Sequence, residues 1–208
     1  HGDRRMARMD APLDQPQPKF VTLADKFEGK RLNSPNDAVY HKNGDLFFTD
    51  PPYGLPKNVD DSSKEIPFQG VYRLKTDGKL ELVTKNMSRP NGIAFSPDYS
   101  KLYVANSDGD RKIWNIYDVA ADGSTSNETL FVDATSDTEP GGPDGMKVDK
   151  EGNIYATGPG GVWVMNPDGK LLGKIKPGQL CSNVALNTDG TALYITADPW
   201  LVRVKLKK

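Results

Sequence analysis

The sequence predicts an all-β protein, a β-propeller, and three observations carry that expectation. One phrase recurs four times: a Pro or Ser, then Asn or Asp, a short apolar strand, a turn, and a second apolar strand. Between the recurrences lie further hairpins centred on Asp-Gly, a pair that supplies the positive φ such turns need. The recurrences fall 55, 53 and 39 residues apart, which matches the span of four-stranded propeller blades. A sandwich has no reason to open every fourth strand on one residue class.

The elements follow in chain order, with the strands of each blade denoted A to D from the axis outward. Residues 4–9 and 20–23 are expected as outer strands of a blade whose inner strands are absent. Pro35-Asn36-Asp37 then opens a strand through Tyr40, which turns at Asn43-Gly44 into Leu46 to Asp50. A hairpin from Val71 to Val83, turning at Asp77-Gly78, completes that blade. The second blade opens at Pro90-Asn91-Gly92 and returns through Leu102 to Asn106. Its outer hairpin runs from Ile113 to Val132. Pro143-Asp144-Gly145 opens the third, whose outer hairpin turns at Asp168-Gly169, and Ser182-Asn183 opens the fourth. Leu201 to Leu206 supplies a third strand there, with no fourth strand after it. Residues 1–208 are thus expected as a single propeller domain with an open ring. A second chain or segment is expected to complete it.

Composition narrows the function classes. A net charge of −1 without a basic stripe argues against a nucleic-acid partner. No apolar run approaches the roughly 20 residues that span a bilayer, so the chain reads as soluble, cytoplasmic or periplasmic. The single cysteine, Cys181, excludes an internal disulfide and is expected as a buried thiol.

In an up-and-down blade the D–A and B–C loops share one face. Asn36, Asn91, Asp144 and Asn183 all open strand A, so four amide or carboxylate side chains are expected to converge near the axis on one rim. Such oxygen donors suit one hard divalent cation, above all Ca2+. Asp50, Asn106 and Asp198 close strand B and are expected on the same rim, with His1 beside them. The competing reading is that Asn and Asp after Pro are ordinary turn formers. Pro167-Asp168-Gly169 is the same tripeptide as Pro143-Asp144-Gly145, placed in an outer hairpin turn. Tyr103, Trp114, Tyr155, Trp163 and Tyr194 are expected to pack between blades, and the polar run 58–69 to form a solvated insertion or a lid. Arg4, Arg5 and Arg8, set against Asp3 and Asp10, read as an exposed strand.

Residues 29–37, Gly-Lys-Arg-Leu-Asn-Ser-Pro-Asn-Asp, followed by Phe48-Thr49-Asp50-Pro51-Pro52-Tyr53-Gly54, resemble bacterial gluconolactonases of the senescence marker protein/regucalcin family. Arg89 to Ser96 and Pro143 to Met146 resemble that family's next two blade openings. The resemblance implies a six-bladed propeller, of which this chain supplies about four and a half blades and lacks the first and part of the second. It also implies an axial divalent cation and hydrolysis of lactones, or in some members of phosphoesters. On the same ground Asn91 and Asp144 match metal ligands, and Asn36 a position that touches the metal or orients substrate. His1, in a His1-Gly2 pair before Arg4-Arg5, matches a pocket residue. The family's remaining ligand, a first-blade Glu, has no counterpart here.

The chemistry expected is opening of a sugar lactone such as gluconolactone, with the cation polarising the carbonyl and Asp144 accepting a proton from water. Asn36, Asp50, Asn106 and Asn183 are expected to bind substrate. No Ser-His-Asp arrangement is visible, because His41 lies at a turn on the opposite face, so His1 is the one histidine expected to contribute to catalysis. Hydrolysis of another ester or a phosphotriester is the alternative within the enzyme class. A non-catalytic calcium-binding propeller is the alternative outside it.

Overall fold

A computed structural model describes residues 2–12, 14 and 19–206. Strands β1 (Met6–Met9) and β2 (Phe20–Ala24) pair as a two-stranded sheet, and β3 (Lys26–Phe27) pairs with β4 (Lys30–Arg31). Four blades follow. The first holds β5 (Ala38–Tyr40), β6 (Leu46–Asp50), β7 (Gly70–Leu74) and β8 (Leu80–Thr84). The second holds β9 (Pro90–Phe95), β10 (Lys101–Asp108), β11 (Arg111–Val119) and β12 (Thr125–Asp133). The third holds β13 (Met146–Val148), β14 (Ile154–Gly158), β15 (Gly161–Met165) and β16 (Leu171–Ile175). The fourth has three strands, β17 (Cys181–Leu186), β18 (Ala192–Ala197) and β19 (Trp200–Lys205). All pairings are antiparallel between sequence neighbours, as tight hairpin turns require. Gly78 and Gly169 close two of those turns at φ 87° and 82°, the left-handed conformation that a side chain disfavours. Among the described residues no helix is long and apolar enough to cross a membrane.

The core lies between blades. Trp114 of β11 and Trp163 of β15 meet with ring centroids 5.4 Å apart, in a cluster with Tyr103, Met146 and Met165. His41 is buried at the opposite end from the strand-A openings, against Phe95 and Tyr99. Three surface expectations are corrected. The run 58–69 is anchored rather than solvated throughout, because Ile66 within it is buried, as is Leu55 just before it. Arg4 is buried: its guanidinium donates to Leu32 O (2.8 Å) and Ser63 O (2.9 Å), tying the N-terminal segment to that run. Arg5 and Arg8 do pair with Asp3 and Asp10 at the surface. Cys181 is only half-buried.

Near the axis the blades are joined through the first residues of strand A. The buried Thr49 of β6 donates through Oγ1 to Asn91 O of the next blade (2.8 Å). Gly145 N–H donates to Ser182 O of the blade after (2.9 Å). These contacts leave no room beside the chain. A Cβ at Gly92 would overlap the Asp144 carbonyl oxygen, and one at Gly145 would overlap the Asn183 side chain. The Gly of Pro-Asn-Gly is therefore needed for close approach, not for its φ. Gly92→Ala is expected to cost at least about 1–3 kcal/mol, the usual range for overpacking. Gly109→Ala, where nothing lies within 4 Å of the added carbon, serves as control. Denaturant midpoints of the two variants check this, and equal midpoints would contradict the packing described.

Candidate active site

The strand-A openings border an open pocket of about 920 Å³. Asn36, Tyr53, Asn91, Ser107 and Asp144 line it from the first three blades. Cys181, Ser182, Thr196, Asp198 and Trp200 line it from the fourth. Backbone hydrogen bonds hold the openings in place: Asn36 N–H donates to Thr49 O (2.9 Å), and Asp144 N–H to Thr157 Oγ1 (3.1 Å). Thr49 and Thr157 sit at the same point of strand B in their blades, and their N–H groups donate to Asp37 O and Gly145 O (3.0 Å each), so one local rule positions both openings.

Asn91 has the most constrained side chain of the set. It is buried, and its Nδ2 donates to Ser107 Oγ (2.8 Å), while Ser107 donates its one hydrogen to Pro143 O. A hydroxyl carries a single donor, so Ser107 must accept from Asn91, and this fixes the amide orientation. Asn91 Oδ1 is left buried without a partner among the described residues. A buried orphan acceptor is costly unless something pairs with it, and a cation would. Asp144 is half-buried; burial, together with the nearby Asp37 carboxylate, pushes its pKa up to about 6, against the Asn91 side chain and the Gly145 amide. Excess negative charge beside an unpaired oxygen is what a hard cation compensates. The oxygens of Asn36, Asn91 and Asp144 therefore fit such an ion. Among the described residues no group of three or more His, Cys, Asp or Glu could hold a metal, so amide oxygens are needed for any such site here.

Other expected site residues fall elsewhere. Asp50 and Asn106, expected on the rim to bind substrate, are fully buried and do not line the pocket. Asp50 accepts from the Asn33 and Ser34 amides (2.8 and 2.7 Å), bracing the turn that leads to Asn36. Asn106 accepts from Arg89 N–H (2.7 Å) and donates to Arg111 O (2.8 Å). Asn183 accepts from the following Val184 amide (2.8 Å) and packs behind Gly145, while its neighbours Cys181 and Ser182 reach the pocket. Asp198 does line the pocket and is exposed. His1 lies outside the described residues. Asp168 sits exposed in an outer turn, apart from the pocket.

Ser107 and Tyr53 were not anticipated. Successive strand residues point to opposite sides, so Ser107 reaches the pocket where Asn106, one residue earlier, turns into the blade. Strand alternation was the available signal.

The fold and site define a β-propeller with amide and carboxylate oxygens gathered around one pocket. The chain belongs to the family described as SMP-30/Gluconolactonase/LRE-like region, whose pattern matches residues 4–198. It is 45% identical over 193 residues to a gluconolactonase from Zymomonas mobilis, covering 89% of this chain and 54% of the relative. It is 29% identical over 157 residues to a diisopropyl-fluorophosphatase from Loligo vulgaris, covering 72% of this chain and 49% of that protein. Its fold superposes on a gluconolactonase from Xanthomonas campestris with TM-score 0.84 and 34% identity, covering 99% of this chain and 66% of that structure. The chain spans about half the length of the curated relatives it matches.

Asp50 also gives the site a pH signature. Burial pushes its pKa up to about 7, against the Asn33 and Ser34 amides, whereas an unfolded Asp titrates near ~4. The folded state thus holds the proton more tightly. The stability gained is fully present below about pH 4 and is lost as pH rises through about 7. Denaturant titrations from pH 4 to 8 are expected to show that decline, and Asp50→Asn is expected to make it shallower, leaving the share that Asp144 contributes. An equal slope in both proteins would contradict a protonated Asp50.

Proposed function

We propose that this chain is the larger part of a six-bladed propeller hydrolase that opens sugar lactones with the help of one divalent cation, Ca2+ being the ion its donors suit best. One observation carries the reading: Asn36, Asn91 and Asp144, from three different blades, line one pocket, and Asn91 Oδ1, its amide held by Ser107, is unpaired among the described residues. The 45% identity to a protein named gluconolactonase supports the lactone as substrate class. When bound, the cation would polarise the lactone carbonyl.

The chain's own residues supply the rest. Asn36 and Asn91 offer neutral oxygens, and Asp144 brings negative charge. Ser107 and Thr157 hold Asn91 and Asp144 in register through hydrogen bonds. Asp144, raised by its burial, is suited to accept a proton from an attacking water near neutral pH. A second reading, phosphotriester hydrolysis, is favoured by the likeness to the protein named diisopropyl-fluorophosphatase. It uses the same donors on a different electrophile.

Asp144→Asn keeps the shape and one oxygen while removing charge and basicity. Turnover of D-glucono-1,5-lactone in saturating Ca2+ is expected to fall at least ~10²-fold, the low end for losing a general base. Asp168→Asn, in the outward copy of the tripeptide, is expected to leave turnover unchanged. Equal effects at both positions would remove the site assignment. Turnover of diisopropyl fluorophosphate but not of the lactone would select the second reading.

A further inference from the structure

Tyr53 is the pocket residue that neither the blade repeat nor the candidate ligands account for. Its phenol oxygen is buried and makes no hydrogen bond among the described residues, yet the side chain forms part of the pocket wall. The loop that carries it is pinned on several sides. Ser34 Oγ donates to Pro51 O (2.6 Å) and accepts from Gly54 N–H (2.9 Å), and Leu55 N–H donates to Pro52 O (3.0 Å). The phenol is therefore held where it is. Its surroundings are Ser107, Arg89, Asp144 and Asn91. A buried hydroxyl without a protein acceptor can donate to an oxygen that enters the pocket beside it.

The neighbouring groups decide what kind of oxygen that is. Ser107 has committed its hydrogen to Pro143 O and accepts from Asn91 Nδ2, which leaves its oxygen one further lone pair. A group that touches both Tyr53 and Ser107 accepts from the first and donates to the second. A hydroxyl does both, whereas a carbonyl oxygen, an acceptor only, does not.

We propose that Tyr53 touches the substrate and donates its phenolic hydrogen to a ring hydroxyl, making it a residue that selects polyhydroxylated lactones over unsubstituted ones. The inference rests on the lactone reading given above and names the residue that sets its specificity. No covalent step is assigned to the phenol.

The test is Tyr53→Phe, assayed with calcium on D-glucono-1,5-lactone and on δ-valerolactone, which has the same ring without hydroxyls. The expected result is a ~10–100-fold loss in kcat/KM on the sugar lactone, with the plain lactone changed less than about twofold. The ligand-free melting temperature is expected to stay level or rise, because the variant removes only an unsatisfied buried hydroxyl. Equal losses on both lactones would mean that the phenol serves the ester they share. No loss on either would mean that it does not reach substrate, and a lower melting temperature would mean that it has an internal partner. Each of these three results overturns the proposal. If the unsubstituted protein hydrolysed neither lactone, the lactone reading itself would fall, and that control separates the two failures.

Discussion

The approach of neighbouring inner strands at the propeller axis is the constraint on which the rest of the structure depends. Thr49 bonds the Asn91 carbonyl across one blade boundary, and Gly145 bonds the Ser182 carbonyl across another. At Gly92 and Gly145 the next blade's atoms occupy the space a side chain would fill. Radial packing this tight leaves little freedom in where the residues beside those glycines sit. Asn91 and Asp144 are placed by the same contacts that join their blades, so fold and site share one set of interactions.

Hydrogen-bond direction does the next part of the work. In a buried environment each donor and acceptor has to be accounted for. The chain from Asn91 Nδ2 through Ser107 Oγ to Pro143 O can run only one way, which puts the amide nitrogen of Asn91 on Ser107 and leaves its oxygen for another partner. Asp50 plays the complementary role below the pocket, holding the Asn33 and Ser34 amides that lead to Asn36. Arg4 adds a third brace by gripping Leu32 O and Ser63 O, which links the N-terminal segment to the same turn. Groups left without partners are then informative. Asn91 Oδ1 and the Tyr53 hydroxyl are two of them, and both residues belong to one pocket.

The sequence by itself determined the all-β class, the blade boundaries and the end of the blades at which polar openings gather. These follow from local rules: strand periodicity, Asp-Gly turn chemistry, and a phrase repeated at blade spacing. Family membership was legible as well, in the residues around Asn36, Asn91 and Asp144. Tertiary structure alone decided which side chains reach the pocket. Asn106 and Ser107 are adjacent and similar in chemistry, yet strand alternation sends one into the blade and the other to the wall. Asp50 became a buried brace because the turn at Asn33 and Ser34 folds over it, a contact 16 to 17 residues away in sequence. Arg4 is buried by a partner segment 59 residues distant, which no local pattern encodes. A residue's type and period are written along the chain, but whether its polar atoms meet protein, solvent or ligand depends on what the neighbouring blade places opposite them.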